Sequence, residues 1–171
     1  MSTELTPEQE KQVQERLQEQ EKKMRDEFND ITWRNMSRLI KIMKEHFGEE
    51  AYQVIVKDAG EEARQRWSKV AEEVGDNSIE EFLKRQFTEE NLAAMEKIES
   101  GYQFKITNCE MCKIAKRLGI EEQAFYFFCA PDPFAAEGFN PNIGFKRTKT
   151  LMQGDDCCDH FYYYKDKNKQ Y

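Results

Sequence analysis

The first half of the chain carries apolar residues at helical spacing among many charged ones. The steps between them are mostly three, four or seven residues, which places them on one face of a helix. They are Val13, Leu17, Met24, Phe28, Ile31, Leu39, Met43 and Phe47. Thr6 and Gln9 fit a capping box around Pro7, and Gly48 follows the apolar run. The pattern predicts a long first helix, with a break allowed near the segment FNDIT.

The apolar face of this helix is thin up to about residue 24 and richer beyond it. We interpret the early turns either as a protruding, solvated arm or as a contact with a partner helix, and the later turns as part of the core. The second interpretation predicts a homo-oligomer formed through the N-terminal helices. A second helix is predicted over about 49–74. A third begins at Ser78, with Glu81 in the capping-box position, and continues through the segment TEENLAAM.

The pattern changes after about residue 96. Alternating apolar residues in GYQFKIT predict a strand. Asn108 and Gly119 bracket a short helix, with the asparagine as its N-cap. The apolar helix that follows is expected to end near Cys129, because Pro131 and Pro133 disfavour its continuation.

Two more strands are predicted over residues 143–152 and 157–164, joined by the turn QGDD. The whole pattern predicts an α+β fold in which a helical N-terminal half packs on a small antiparallel β-sheet. We divide the chain into a helical scaffold over residues 1–95 and a cysteine-rich α+β region over residues 96–165. Both are interpreted as parts of one compact domain.

Composition narrows the classes of function. The 171 residues include 35% charged residues and carry a net charge of −7, which argues against nucleic acid as the main partner. No apolar run approaches the ~20 residues that cross a bilayer, so no membrane partner is expected. The N-terminal stretch has no apolar segment, so no secretory signal is expected either. We therefore predict a cytoplasmic protein with reduced thiols.

Five cysteines lie between residues 109 and 158, and this odd number cannot pair completely within the chain. Cys109 is predicted in the first turn of its helix, where unpaired backbone N–H groups favour an anion. Cys112 follows on roughly the same face. Cys129 stands three residues before Asp132, at the predicted end of the apolar helix. These positions favour free, catalytic or metal-binding thiols.

The last predicted strand brings a thiol and an imidazole to one side. Alternation places Cys158 and His160 on one face, and Cys157 and Asp159 on the other. A thiol beside an imidazole is either a nucleophile with its base or a pair of metal ligands. The alternative for His160 is a hydrogen-bonded residue of the core.

A basic segment without acidic residues separates Glu137 from Asp155. It contains Lys146, Arg147 and Lys149, of which the last two are predicted to share a strand face. Such a face could bind a small carboxylate, and arginine can do so bidentately. The alternative is a solvated sheet edge guarded by lysines.

The segments TNCEMCKIAKRLGI and FCAPDPF, with the later RTKTL and the closing CCDHFYY, resemble the L-2-amino-thiazoline-4-carboxylic acid hydrolase family. The resemblance covers about residues 95–164. It implies a hydrolase that opens a cyclic amidine-like ring to a carbamoyl-cysteine. The site residues that it implies are Cys109, Cys129, Asp132, Cys158, Asp159 and His160.

The leading hypothesis is therefore a cytoplasmic hydrolase that acts on a small carboxylated ring and needs no cofactor. Arg147 and Lys149 would bind the substrate, and a Cys/His/Asp site would open a C–N or C–S bond. The alternative is a non-catalytic metal- or cofactor-binding module for zinc or iron. Its ligands would be drawn from Cys109, Cys112, Cys129, Cys158 and His160. A third interpretation is a helical dimerisation or sensor protein that only binds a ligand.

Overall fold

The computed structural model describes residues 6–165, so the first five residues of the predicted scaffold lie outside it. The first helix, α1, spans Pro7–Phe47 and is not broken at FNDIT. Its capping box is confirmed: the Gln9 N–H donates to Thr6 Oγ1 at 3.3 Å, and the Thr6 N–H donates to Gln9 Oε1 at 2.9 Å. Gly48, with φ of +72°, follows the helix in the left-handed region that favours glycine.

Three more helices follow: α2 (Glu50–Val74), α3 (Ile79–Gln86) and α4 (Glu89–Ala93). Ser78 caps α3, as predicted, by accepting a hydrogen bond from the Glu81 N–H at 3.2 Å. The prediction that this helix continues through TEENLAAM is wrong. The backbone is extended at Phe87, and Thr88 then caps a helix of its own.

The sheet has four antiparallel strands in the order β1-β2-β4-β3. They are β1 (Met95–Ile98), β2 (Gly101–Phe104), β3 (Ile143–Lys146) and β4 (Phe161–Tyr164). The predicted small antiparallel sheet, and with it the α+β class, is confirmed. The sequence pattern missed β1, because this edge strand is mostly exposed and lacks a buried apolar face. The last two strands are shorter than predicted, and residues 147–160 between them include a 3₁₀ turn at Leu151–Gln153.

The middle of the chain forms α5 (Glu110–Leu118), α6 (Glu121–Ala124), a π-helical turn (Phe125–Cys129) and α7 (Asp132–Phe139). The helical run that begins with α6 ends at Cys129, as predicted, and α7 is a separate helix that starts after the turn residues Ala130 and Pro131. Pro133 is the second residue of α7, in the first turn of a helix, where its missing N–H is not needed.

Helix α7 packs closely on α2. Gly60 and Gly138 make this approach possible, since a Cβ at Gly60 would meet the Phe134 ring and a Cβ at Gly138 would meet the Arg64 backbone. Among the aromatic side chains of the core, Trp67, Phe82 and Phe139 contact one another edge-on or tilted, and Phe82 also contacts Tyr162.

The chain forms two compact units that divide between Leu39 and Ile40. In the described residues the first unit consists of α1 up to Leu39, and the second contains the end of α1, the sheet and the remaining helices. The prediction that the later turns of α1 belong to the core is wrong for Phe28, Ile31 and Leu39, whose side chains are exposed. The predicted division at residue 95 stays a prediction. Over residues 6–165, no helix combines the length and apolar character that a membrane span requires.

Candidate active site

Asp132 is the first residue of α7 and lies three residues after Cys129, the last residue of the π-helical turn. Its side chain is only 12% exposed. Burial raises the pKa of the Asp132 carboxyl to about 7, and the nearby positive charge of Arg147 only partly opposes this shift. A carboxyl group with a pKa near neutrality can both accept and donate a proton at physiological pH.

Arg147 lies just after β3 and reaches across to α7. One guanidinium nitrogen, Nη1, donates to Asp132 Oδ2 at 2.7 Å, and Nη2 donates to the Cys129 carbonyl at 3.1 Å. In a continuous helix this carbonyl would accept from residue 133, but Pro133 has no N–H to offer. The Cys129-x-x-Asp132-Pro133 sequence therefore supplies Arg147 with both of its acceptors.

Two aromatic rings hold the Arg147 guanidinium in this position. The Phe125 ring of the π-helical turn and the Phe145 ring of β3 each have their centre 5.6 Å from Arg147 Cζ. The side chain is 10% exposed. The prediction that Arg147 and Lys149 share a strand face is wrong, because β3 ends at Lys146. Lys149 is exposed and pairs with Asp156.

His160 precedes β4 and is buried among aromatic rings, with ring centres 5.3 Å from Phe145 and 5.8 Å from Phe87. Its Nε2 lies 4.0 Å from Asp132 Oδ2, and neither ring nitrogen has a hydrogen-bond partner among the described residues. Burial, together with the charge of Arg147, lowers the pKa of His160 to about 4. The imidazole is therefore neutral at pH 7.

The Tyr162 hydroxyl is a third buried polar group near Asp132 without a partner among the described residues. Burial raises the pKa of Tyr162 well above its usual value, and the charge of Asp132 contributes in the same direction. Buried polar atoms are rarely left unpaired, and such groups are typical of sites that bind a ligand or move protons. In the sequence, Tyr162 is one of three consecutive tyrosines, and nothing distinguishes its hydroxyl from those of its neighbours.

Four of the five thiols influence one another electrostatically, since charges on Cys109 and Cys158 also raise the pKa of Cys112. A negative charge on Cys109 would raise the pKa of both Cys129 and Cys158. Burial, followed by the charge of Asp132, raises the pKa of Cys129 to about 12. Cys109, and not Asn108, is the N-cap of α5, so this helix begins one residue later than predicted. The Asn108 side chain donates to the Glu90 carboxylate instead.

Cys158 is the thiol with the most developed polar surroundings. The Leu151 N–H donates to its Sγ at 3.3 Å, and Thr150 Oγ1 lies 3.7 Å from the same sulfur. Burial raises the pKa of Cys158, while these two contacts oppose the rise. They come from the 3₁₀ turn and its cap, which the strand prediction for residues 143–152 had missed.

Two predicted residues remain, Asp159 and the alternative metal ligand Cys112, whereas Cys157 is not among the predicted site residues. Asp159 accepts hydrogen bonds from the Thr148 and Lys149 N–H groups, so its carboxylate holds the segment that follows Arg147. Cys112 is buried in α5, and Cys157 contacts Asp156. Within residues 6–165, no three His, Cys, Asp or Glu side chains are arranged to hold a metal ion. The alternative ligand set is thus not assembled in this arrangement, and zinc or iron binding stays a prediction.

A cavity of about 200 Å³ opens beside Asp132, and we call it the Asp132 cavity. Helix α2 forms one wall, and the π-helical turn forms another with Phe127 and Phe128. The polar residues at it, apart from Asp132, are Glu62, Arg66 and Gln86. Sequence reasoning missed them, because in the helical pattern they are indistinguishable from other solvated positions.

The fold and site define a class of α+β protein with a buried carboxyl–guanidinium pair, an adjacent neutral imidazole and clustered thiols. The family model of L-2-amino-thiazoline-4-carboxylic acid hydrolase matches residues 24–162. The chain belongs to this family, and the match begins within α1 rather than at residue 95. The resemblance inferred from the C-terminal half is thereby confirmed and extended. A comparison with curated proteins finds no significant match.

Proposed function

We propose that this protein is a hydrolase for a small carboxylated ring with C–N and C–S bonds, and that Asp132 and His160 transfer the protons. Membership of the thiazoline hydrolase family supports the reaction class. The observation that carries the proposal is the buried Asp132 carboxyl, with its raised pKa, only 4.0 Å from an imidazole that has no other partner among the described residues. Arg147 orients this carboxyl.

The pair holds a number of protons that depends on pH. With a pKa of about 7 for Asp132 and about 4 for His160, it carries one proton between these values and none above them. Near neutral pH the pair is therefore divided between a form that can accept a proton and a form that can return it. This is the requirement for a group that acts first as general base and then as general acid.

The proposed reaction begins with water, which loses a proton to the Asp132–His160 pair and adds to the amidine-like carbon of the ring. A C–O bond forms as the C=N π electrons move onto the ring nitrogen, and the C=N bond re-forms as the ring C–S bond breaks. The hydroxyl proton then moves to that nitrogen, which gives the carbamoyl group. The sulfur leaves with the electron pair of the C–S bond and takes the proton back from the pair. The sum is the ring plus water giving a carbamoyl-cysteine, and the pair returns to its starting state.

Water is preferred to a cysteine nucleophile because burial raises the pKa values of Cys129 and Cys158, which disfavours resting thiolates at neutral pH. In this proposal Cys158, with its contacts to Leu151 and Thr150, helps to shape the wall of the site. Replacing Cys158 with Ser should then reduce turnover by less than about tenfold. Loss of an essential nucleophile would instead reduce it by a factor of about 10⁴ or more.

The direct experiment measures turnover of 2-amino-thiazoline-4-carboxylate by the unaltered protein and by the variants Asp132→Asn and His160→Gln. Each variant keeps the shape of its side chain and removes proton transfer, so we expect a loss of about 10²-fold or more in kcat. Cys157→Ser is the matched control, since Cys157 is also buried but contacts Asp156 instead of the pair. The proposal fails if both variants turn over the ring as fast as the control does.

A further inference from the structure

The Asp132 cavity is open to a ligand, but neither of the two predicted carboxylate-binding residues, Arg147 and Lys149, is available to it. Both terminal nitrogens of Arg147 are already bonded, to Asp132 and to the Cys129 carbonyl. Lys149 is exposed and does not line the cavity. The two residues expected to bind a substrate carboxylate are therefore occupied elsewhere, and another positive charge is needed.

Arg66 fits this requirement. It lines the Asp132 cavity from α2, one residue before the buried Trp67, and its side chain is exposed. It makes no hydrogen bond or ion pair within the part of the chain that the structure describes. Gln86, half-buried at the end of α3, adds an amide to the same cavity. The guanidinium can thus bind a carboxylate bidentately without first giving up another partner.

We propose that Arg66 binds the carboxylate of the substrate while the ring lies against Phe127 and Phe128, and that the protein thereby selects ring carboxylates over their neutral analogues. This inference rests on the proposed function. The cavity volume of about 200 Å³ limits the ligand to a single small ring. Glu62, also at the cavity, disfavours a second negative charge on the ligand.

The kinetic test compares Arg66→Met with Lys69→Met, which removes an equal charge from the same helix but does not line the cavity. We expect Arg66→Met to raise KM for the carboxylated thiazoline about tenfold or more, with kcat within about twofold, because one charge-assisted interaction is lost. KM for the corresponding carboxamide should not change, and Arg66→Lys should restore part of the loss. Equal effects of both Met variants, or equal effects on acid and amide, overturn the assignment.

A binding measurement separates this inference from the proposed reaction. Thiazolidine-4-carboxylate, a saturated ring acid, is titrated calorimetrically into the unaltered protein, Arg66→Met and Lys69→Met. We expect the acid to bind to the unaltered protein and to Lys69→Met, and to bind at least tenfold more weakly to Arg66→Met. If binding follows this order but no ring is hydrolysed, Arg66 stands and the proposed reaction fails. If Arg66→Met binds the acid as tightly as the unaltered protein, the Arg66 assignment fails whatever the activity.

A second inference concerns α1 and depends on different observations. Besides Met43 and Phe47, seven large apolar side chains of this helix are exposed, and at 100° per residue these seven fall within about 80° of its circumference. They are Val13, Leu17, Met24, Phe28, Ile31, Leu39 and Ile42, which we call the α1 stripe. The stripe runs for about 44 Å along the helix, so it is a continuous apolar surface and not a set of scattered apolar residues.

Charge along α1 indicates what covers the stripe. Residues 7–21 carry five acidic and two basic side chains, whereas residues 34–46 carry four basic and one acidic. Two copies of α1 in antiparallel orientation would place the acidic end of each on the basic end of the other. We infer that the α1 stripe is the contact of an antiparallel homodimer.

Sedimentation or light scattering should give a mass near twice 20.4 kDa, and the dimer should weaken as salt is raised. Phe28→Glu should produce monomers, whereas Asn29→Glu, an equal charge on another face, should not. With a cysteine introduced at Met24, near the helix centre, oxidation should join two chains, while one at Val13 should not. A monomer that binds lipid vesicles or another protein, or cross-linking at Val13, contradicts the antiparallel dimer.

Discussion

The role of Arg147 depends on a backbone carbonyl that a proline leaves without a helical hydrogen bond. A proline at position 133 leaves the Cys129 carbonyl without a helical donor, and the guanidinium bonds to it and to Asp132 together. The arginine is thus a positioning residue for the carboxyl group. Its charge also lowers the pKa of His160 and so helps to keep the imidazole neutral.

The two titrating residues have opposite effects on stability. The pKa of Asp132 rises from an ordinary 3.8 to about 7, so between these values the folded protein holds more protons and its stability falls as pH rises. The pKa of His160 falls from 6.5 to about 4, so between these values the unfolded chain holds more protons and stability rises with pH. In the unaltered protein the two contributions oppose each other between about pH 4 and 6.5.

Single substitutions should therefore separate the two contributions to the pH dependence of stability. From pH 4 to 6.5, His160→Gln should lose stability with rising pH, and Asp132→Asn should gain it, each by about 1 kcal/mol per pH unit. Urea unfolding at a series of pH values measures both slopes. Parallel profiles for the two variants would show that the folded-state pKa values are not shifted in opposite directions.

At the scale of elements, the helices were the most predictable part of the fold. The capping residues Thr6 and Ser78 act where the sequence places them. The apolar pattern did not predict the path of the backbone from Phe125 to β4. This stretch contains a π-helical turn, a short helix that begins at Asp132 and a 3₁₀ turn, and none of them has an apolar periodicity of its own. These irregular segments carry most of the site.

The close packing of α7 on α2 predicts how strongly alanine substitutions at the two glycines reduce stability. Gly138→Ala should destabilise the protein by about 2 kcal/mol, because the added methyl meets the Arg64 backbone, which cannot move independently of α2. Gly60→Ala should cost less than about 1 kcal/mol, since it meets only the half-buried Phe134 ring and improves helix propensity. Thermal or urea unfolding of both variants gives the comparison. Equal losses would mean that the closest α2–α7 approach does not lie at Gly138.

At the scale of the whole molecule, the sequence predicted the α+β class and the family, but not the access to the site. The cysteines and His160 stand out because their chemistry is rare in a charged chain. Arg66 and Gln86 do not, since a solvated helix carries many such residues, and only the packing of α2 beside the π-helical turn brings them to Asp132. The site of this hydrolase family member therefore combines both parts of the predicted division at residue 95.

The central claim is that Asp132 is a proton-transfer group with a pKa near neutrality. Carbon-detected NMR of protein labelled at aspartate carboxyl carbons, assigned by comparison with Asp132→Asn, measures that pKa directly. We expect the Asp132 signal to titrate at about 7, while Asp156, paired with Lys149 at the surface, titrates below the ordinary value of 3.8. An Asp132 carboxyl that also titrates below pH 4 would be a permanent anion, and it would contradict the account.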